Sequence, residues 1–498
     1  MQGSERSRLP WIRIALGLIA ASIGIVGVLL WRWVYVTPKP RTNYLAELHR
    51  QVDTAPESST PTAIDRYIDV WLELPYDEIP LDEITAAASG EDLDRVEQYL
   101  AEHHDDIRSL IEVASIPHLG FVPQAGVPDV WKRFRFGGAQ RAEKNELETS
   151  GPPFLLDVIL PHLGPMRVSA RLLAADVRLA ARRGDAARVQ QGLIAMCNIA
   201  VHGSGTRLVI SDLLGSAVLV LASATALDVL SEDPQAIGTP DEAALVVDAF
   251  IRAARKLGGS APINADRLTY LDVAQRVFRS NGKGGVSPAG LRWFDSQTGG
   301  SADIDGLSGV GTSILVSVMS ASGDRDTEFA ETYFDAGKQL MKAPLWEWES
   351  RGTLDTYYRL AGELDASNFL AAKIVLPAFD RYAGMTHLAN AQANAAAMLI
   401  KLHAEQNAGI PMPTTIEPAE WISRGVDVRD PFSGTPFKYR IKNGRPLVYS
   451  VGNDFIDNRG ESIEANIPQP TLIGTELPDD LKGDWVLFPP PDRPQDDN

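Results

Sequence analysis

The sequence predicts a mainly α protein in three parts: an N-terminal transmembrane helix, an α-hairpin-rich domain and a small α+β module at the C-terminal end. Three observations predict it. Residues 14–31 are 18 consecutive positions without a charge. Apolar side chains recur at helical intervals through much of residues 62–380. Beyond Gly409 the pattern switches to short β-patterned runs separated by turn residues. The corresponding division is 1–36 for the N-terminal segment and anchor, 37–61 for a stalk, 62–380 for the helical domain, and 381–498 for the module with a disordered tail.

The anchor comes first in the chain. At a helical rise of 1.5 Å per residue, residues 14–31 reach about 27 Å, close to the hydrocarbon thickness of a bilayer. Arg13 and Arg32 bracket the run, and Trp11, Trp31, Trp33 and Tyr35 lie near its ends, where amphipathic rings settle at headgroup level. Trp31-Arg32-Trp33-Val34-Tyr35 stands where a signal peptide would carry small residues for cleavage, so the segment reads as an uncleaved signal-anchor. Basic residues are nearly balanced across it, with Arg6, Arg8 and Arg13 before and Arg32, Lys39 and Arg41 after. The short N-terminal extension places the N-terminus in the cytoplasm and the large domain outside, because long domains translocate largely regardless of charge.

Residues 37–61 are rich in Pro, Ser, Thr and charge and read as a stalk with one short amphipathic helix at 44–52. In residues 92–114, Leu93, Val96, Leu100, Ile107, Leu110 and Ile111 follow a helical period. His103 and His104 are adjacent there and point about 100° apart, which suits a solvated face and not a shared metal. The clearest unit is a helical hairpin: Val168, Leu172, Ala175 and Leu179 on one face, a break at Gly184-Asp185, then Ala186, Val189, Leu193, Met196 and Ala200. This arrangement resembles one unit of a tetratricopeptide-like array, without its consensus. Residues 213–227, uncharged between Asp212 and Asp228, read as a buried core helix, too short to span a bilayer comfortably. Residues 280–311, rich in Gly and Ser, read as a long excursion loop, with helices resuming from 326 to 408.

Composition narrows the function. With 65 acidic against 47 basic side chains the net charge is -18, which repels phosphate backbones and argues against nucleic acid as a partner. Cys197 is the one cysteine, so no intramolecular disulfide or multi-thiolate metal site exists, and its apolar neighbours mark it as a buried hydrophobe. Gly285-Val286-Ser287-Pro288-Ala289 departs from the nucleophile-elbow pattern at its last position. His202-Gly203-Ser204-Gly205 joins two helical segments where an oxyanion loop would follow a strand. His387 and His403, on one helix, are about 24 Å apart, too far to share a metal. No catalytic residue is assigned.

An Ala-rich helix at 384–406 leads into the module, whose β-patterned runs are 437–441, 447–451 and 485–488, with Asn443-Gly444 as a hairpin turn. Asp430-Pro431-Phe432-Ser433-Gly434-Thr435-Pro436 with Tyr439, then Tyr449-Ser450-Val451-Gly452-Asn453-Asp454, then Asp484-Trp485, complete the pattern. Over roughly 100 residues it resembles the C-terminal part of type II secretion major pseudopilins. The anchor lacks the processed pilin leader and lies far from the module, so the module reads as a reused folded cap and not as part of a polymerising subunit. The whole arrangement also resembles uncharacterised membrane-anchored bacterial proteins. The resemblance implies a calcium site at Asp454 and Asp484, with Asp457 and Asn458 nearby, all oxygen ligands suited to a hard cation. Phe455 stands where the family carries Gly, and a polar turn capped by these side chains is the alternative.

The expectation is therefore a single-pass protein of the bacterial inner membrane whose extracytoplasmic helical hairpins scaffold other envelope proteins or further copies of itself. The alternatives are a hydrolase with a dispersed site and an accessory component of a secretion or pilus machine.

Overall fold

The computed structural model describes residues 9–52, 62–74, 81–88, 93–124, 152–158, 160–259, 263–298, 310–364, 369–463 and 482–490. Arg6 and Arg8, residues 53–61 of the expected stalk and the tail after residue 490 lie outside them. The described residues are mainly helical, with one small antiparallel sheet of three strands.

The first helix, α1 (Leu9–Tyr35), is longer than the uncharged run because Arg13 and Arg32 continue it. Ile23, Ile25, Val26, Val28, Leu29 and Leu30 are each more than half exposed. Next, α2 (Tyr44–His49) is capped by Asn43, whose side chain accepts the Ala46 N–H at 3.1 Å. It buries Leu45 and Leu48 against Leu155, Ala265 and Leu268, so this part of the expected stalk is seated on the body.

Helices α3 (Ala63–Glu73), α4 (Leu81–Ala88), α5 (Leu93–Glu102) and α6 (His104–Ala114) flank the hairpin of α7 (Leu163–Arg182) and α8 (Ala186–Gly203). The hairpin turn is as its sequence dictates. Gly184 takes φ +70°, its N–H and that of Asp185 bond to the carbonyls of Ala181 and Ala180, and Asp185 accepts the Arg188 N–H at 3.0 Å. Leu172, Val189, Leu193 and Met196 are fully buried, and Cys197 lies among them.

Helix α9 (Val209–Glu232) is, among the described residues, long and apolar enough to cross a membrane by length and composition, yet most of it is buried inside the protein. It extends past the predicted 213–227 at both ends, because the bounding acids are accommodated within the helix. Tyr382 donates its hydroxyl to Asp212 at 2.9 Å, and Arg178 pairs with Asp228 while bonding Thr225 at 3.0 Å. Around it pack α7, α8 and α10 (Pro240–Gly259).

The second half comprises α11 (Ile263–Val277), α12 (Pro288–Thr298), α13 (Val310–Met319), α14 (Gly323–Lys342), α15 (Thr353–Glu363), α16 (Leu370–Val375), α17 (Phe379–Asn407) and α18 (Pro418–Ser423). The excursion loop expected at 280–311 is corrected at 288–298 and from 310, which are helical, while 299–309 lie outside the described residues. Only a tight turn follows α11, and α12 begins at Pro288, with Leu291 and Phe294 buried. That turn docks on α14: Gly323 donates to the Gly284 carbonyl at 2.8 Å, and a Cβ at Gly323 would overlap the Gly282 carbonyl oxygen. Helices resume with α13 and at Gly323, ahead of the predicted 326.

Helix α17 lies against both α9 and α10, where Ala389, Ala393, Ala396 and Ala397 are fully buried and let its neighbours come close. The sheet of β1 (Lys438–Lys442), β2 (Arg445–Ser450) and β3 (Trp485–Phe488), in the order β1-β2-β3, packs through β3 on α9, with Phe488 edge-on to His403 of α17. Asn443 and Gly444 both have positive φ, the requirement of the two-residue hairpin their sequence predicted. One apolar core runs from Ala63 to Phe488, joining the helices to the sheet.

Candidate functional site

The four predicted calcium ligands lie together in the loop after β2 and at the start of β3. Asp454 accepts the Ile456 N–H at 3.0 Å through one oxygen, and the Gly483 N–H at 2.9 Å and the Asn458 amide at 3.0 Å through the other. Asp484, fully buried, accepts the Asn458 and Gly460 N–H groups at 3.2 and 2.5 Å. Asp457 takes the Tyr449 hydroxyl and the Arg459 N–H, each at 3.0 Å, and faces Lys438 at 3.4 Å. Burial pushes the Asp484 carboxyl above its usual range; the Gly460 and Asn458 N–H groups oppose this, and the charges of Asp457 and Asp454 reinforce it. For Asp457 burial acts upward, but the Arg459 N–H, the Tyr449 hydroxyl and Lys438 together hold it below the ordinary value.

These side chains do not fit a calcium ion as they stand. Both oxygens of Asp454 and of Asp484 already face N–H donors, so the loop is closed by turn-forming hydrogen bonds. Among the described residues no group of three or more His, Cys, Asp or Glu is placed to hold a metal. Thermal melting of the detergent-solubilised chain should accordingly give the same midpoint in millimolar calcium and in chelator. A calcium-dependent rise that disappears in Asp454→Ala would show that the loop rearranges around the ion. A fourth carboxylate, Asp430, fully buried, accepts Phe432 N–H at 2.8 Å, Ser450 hydroxyl at 2.9 Å and Val451 N–H at 2.9 Å, tying the Asp430-Pro431-Phe432 turn to β2.

The motifs weighed for hydrolysis have structural occupations. Ser287 accepts the Gly290 N–H at 3.2 Å in the first turn of α12. His202 is held between the Tyr67 hydroxyl at 3.1 Å and the Ile116 carbonyl at 2.8 Å. His387 and His403 both lie on α17, pushed down to about 4 chiefly by burial.

Two further carboxylates meet where helices α9 and α11 begin. Asp266 accepts the Val209 N–H at 3.0 Å, and Asp212 receives Tyr382 from α17. Burial pushes the Asp266 carboxyl up to about 7; the Val209 N–H opposes this, and the charge of Asp212 adds to it. The folded chain thus keeps a proton that the unfolded chain has lost above about pH 4. Folding stability from this group falls as pH rises from about 4 to 7. Asp266→Asn should therefore gain stability relative to wild type between pH 5 and pH 8, read by urea unfolding, since contributions of the buried histidines cancel in that comparison. An equal difference at both pH values would contradict the assignment.

Among the described residues, an extended polar arrangement surrounds the C-terminal end of α1. Gln275 on α11 accepts the Arg41 and Thr42 N–H groups at 3.1 and 3.0 Å and donates to the Thr42 carbonyl at 2.9 Å. The Arg292 guanidinium on α12 donates to the Val34 carbonyl at 2.6 Å and lies 5.6 Å from the Tyr35 ring. Arg279 lies over Trp33 at 5.2 Å. The sequence marked the aromatic residues here as interfacial, but gave no signal for these three partners, which lie more than 200 residues along the chain.

Comparison of the chain with protein-family models, with curated proteins and with solved structures found no match.

Proposed function

We propose that this chain is a single-pass, membrane-anchored scaffold of the bacterial envelope. Its α1 crosses the inner membrane, its helical hairpins face other envelope proteins outside the cytoplasm, and its C-terminal module is a pseudopilin-like folded cap. The observation that carries this reading is the clamp at the α1 exit. An apolar helix with its sides exposed is disfavoured in water and favoured in a bilayer, and here its last turn is gripped by Arg292 and Arg279. The body is thereby held against the anchor, as suits a surface that presents partners at a fixed height. The buried Asp326 is spent on structure, accepting the Ala371 and Ala372 N–H groups at the N-terminus of α16, both at 3.1 Å.

The test combines topology with contact. A reporter active only outside the cytoplasm, fused to the C-terminus, should be active, and the chain should resist carbonate extraction. A photocrosslinker at the exposed Leu245 of α10 should give discrete adducts with envelope proteins in intact membranes. An inactive reporter overturns the orientation, and absence of adducts there and at Ile210 overturns the scaffold. A hydrolase is the second reading, favoured by the Asp212–Asp266 pair, because a carboxyl raised to about 7 suits proton transfer.

A further inference from the structure

The apolar helix α13 has no charged residue, and Leu315, Val318 and Met319 on one face are 59, 68 and 62 % exposed. These three positions stand at i, i+3 and i+4 and so form a stripe. The opposite side faces the body, where Ser313 is buried and Val316 packs on the core. In water such a stripe is unfavourable, as apolar area left uncovered contributes nothing to folding.

Its surroundings identify what covers it. One guanidinium, that of Arg292, donates to Ser313 on the inward side of α13 at 2.8 Å and to the Val34 carbonyl in the last turn of α1 at 2.6 Å. Helix α12, which carries Arg292, packs against both α1 and α13. The stripe is therefore fixed one side chain away from the point where the anchor leaves the bilayer, a level marked by Trp31, Trp33 and Tyr35. We propose that α13 is a second membrane contact. Its Leu315–Val318–Met319 stripe enters the headgroup–acyl boundary of the leaflet from which α1 emerges, in the manner of an interfacial helix. This rests on the reading of α1 as the anchor. The clamp fixes the body to α1, and the second contact then sets which face of the body meets the membrane.

The full chain carrying Val318→Cys or Leu315→Cys can be labelled with an environment-sensitive fluorophore, because the native Cys197 is buried. Both positions are exposed, so labelling removes no core packing. The labelled protein is reconstituted in phosphatidylcholine vesicles with or without lipids bearing a nitroxide near the headgroup. The expected result is blue-shifted emission that the nitroxide lipids largely quench at 315 and 318. A label at Val28 in α1 should be quenched by nitroxide deeper in the acyl chain, and one at Lys442 on the β-hairpin should be quenched by neither. Quenching at 28 without quenching at 315 and 318 overturns the proposal and leaves the anchor standing. Loss of quenching at 28 as well overturns the anchor itself. A blue shift at 318 that is insensitive to nitroxide lipids and disappears at one chain per vesicle would assign the stripe to a second copy of the protein, which also overturns it.

Discussion

Replacing Arg276 by Ala is expected to destabilise the protein by about 3–5 kcal/mol, because it strands a buried carboxylate. Asp272 has no exposed surface and Arg276 almost none. The arginine reaches Asp272 at 3.2 Å, donates to the carbonyls of Pro152 and Pro153 at 2.8 and 2.9 Å, and lies over the rings of Phe154 and Trp293 at 4.9 and 5.3 Å, two rings that also meet each other edge-on. Asp272 in turn accepts the Leu155 N–H at 2.7 Å and the Gln275 amide at 2.8 Å, and Gln275 is the residue that holds Arg41 and Thr42. Burial raises the Asp272 carboxyl, and Arg276 is the first of the groups that oppose the rise. Losing the arginine thus removes three donor contacts and two cation–π contacts and leaves a charge in an apolar setting. The double substitution Asp272→Asn, Arg276→Met should recover much of the loss, since it removes both charges while keeping volume. Urea unfolding of the detergent-solubilised chain measures both effects. A loss in Arg276→Ala no larger than that of an exposed ion pair, about 0–1 kcal/mol, would contradict the buried-network account. Proteolysis within residues 37–52 should also quicken in the single variant, because Gln275 loses its orientation.

The contrast between what the sequence reveals and what it hides follows sequence separation. The α7–α8 hairpin is legible because its period, its Gly184 and its Asp185 cap act within a few residues. The β1–β2 turn is legible for the same reason at Asn443-Gly444. The ends of α9 were not, since Asp212 and Asp228 look like boundaries until their partners arrive from 170 and 50 residues away. Helices α12 and α13 were hidden by Gly and Ser, whose low helix propensity is overridden by the burial of Leu291 and Phe294. The clamp is the extreme case: Gln275 and Arg292 meet their partners across 234 and 258 residues. In the C-terminal loop the residue set is legible, since Asp454, Asp457, Asn458 and Asp484 lie together, while the backbone N–H groups that meet Asp454 and Asp484 are not, because composition alone does not reveal them.

Trp348→Ala is the second large effect, expected to cost about 3–5 kcal/mol by leaving a cavity behind a fully buried indole. Packing is only part of its role. A helix ends with carbonyls that lack intrahelical partners, and the Trp348 indole N–H donates to two such groups at the end of α14, Leu340 at 3.1 Å and Ala343 at 3.0 Å. The chain reaches this position through the turn Leu345–Glu347 and leaves it at Gly352, whose φ of +60° starts α15. The indole also meets His387 of α17 edge-on at 6.1 Å, so it joins the end of α14 to α17. Trp348→Phe separates the two roles. It keeps most of the ring volume and removes one donor from two carbonyls that His387 also hydrogen-bonds, and should cost about 0.5–1.5 kcal/mol for the lost hydrogen bonds. Unfolding midpoints of the two variants decide the matter: if Trp348→Phe equals wild type, the indole acts by volume alone, and if it equals Trp348→Ala, the N–H is the dominant contribution. The intermediate result expected here would mean that both packing and capping hold α14 against α17.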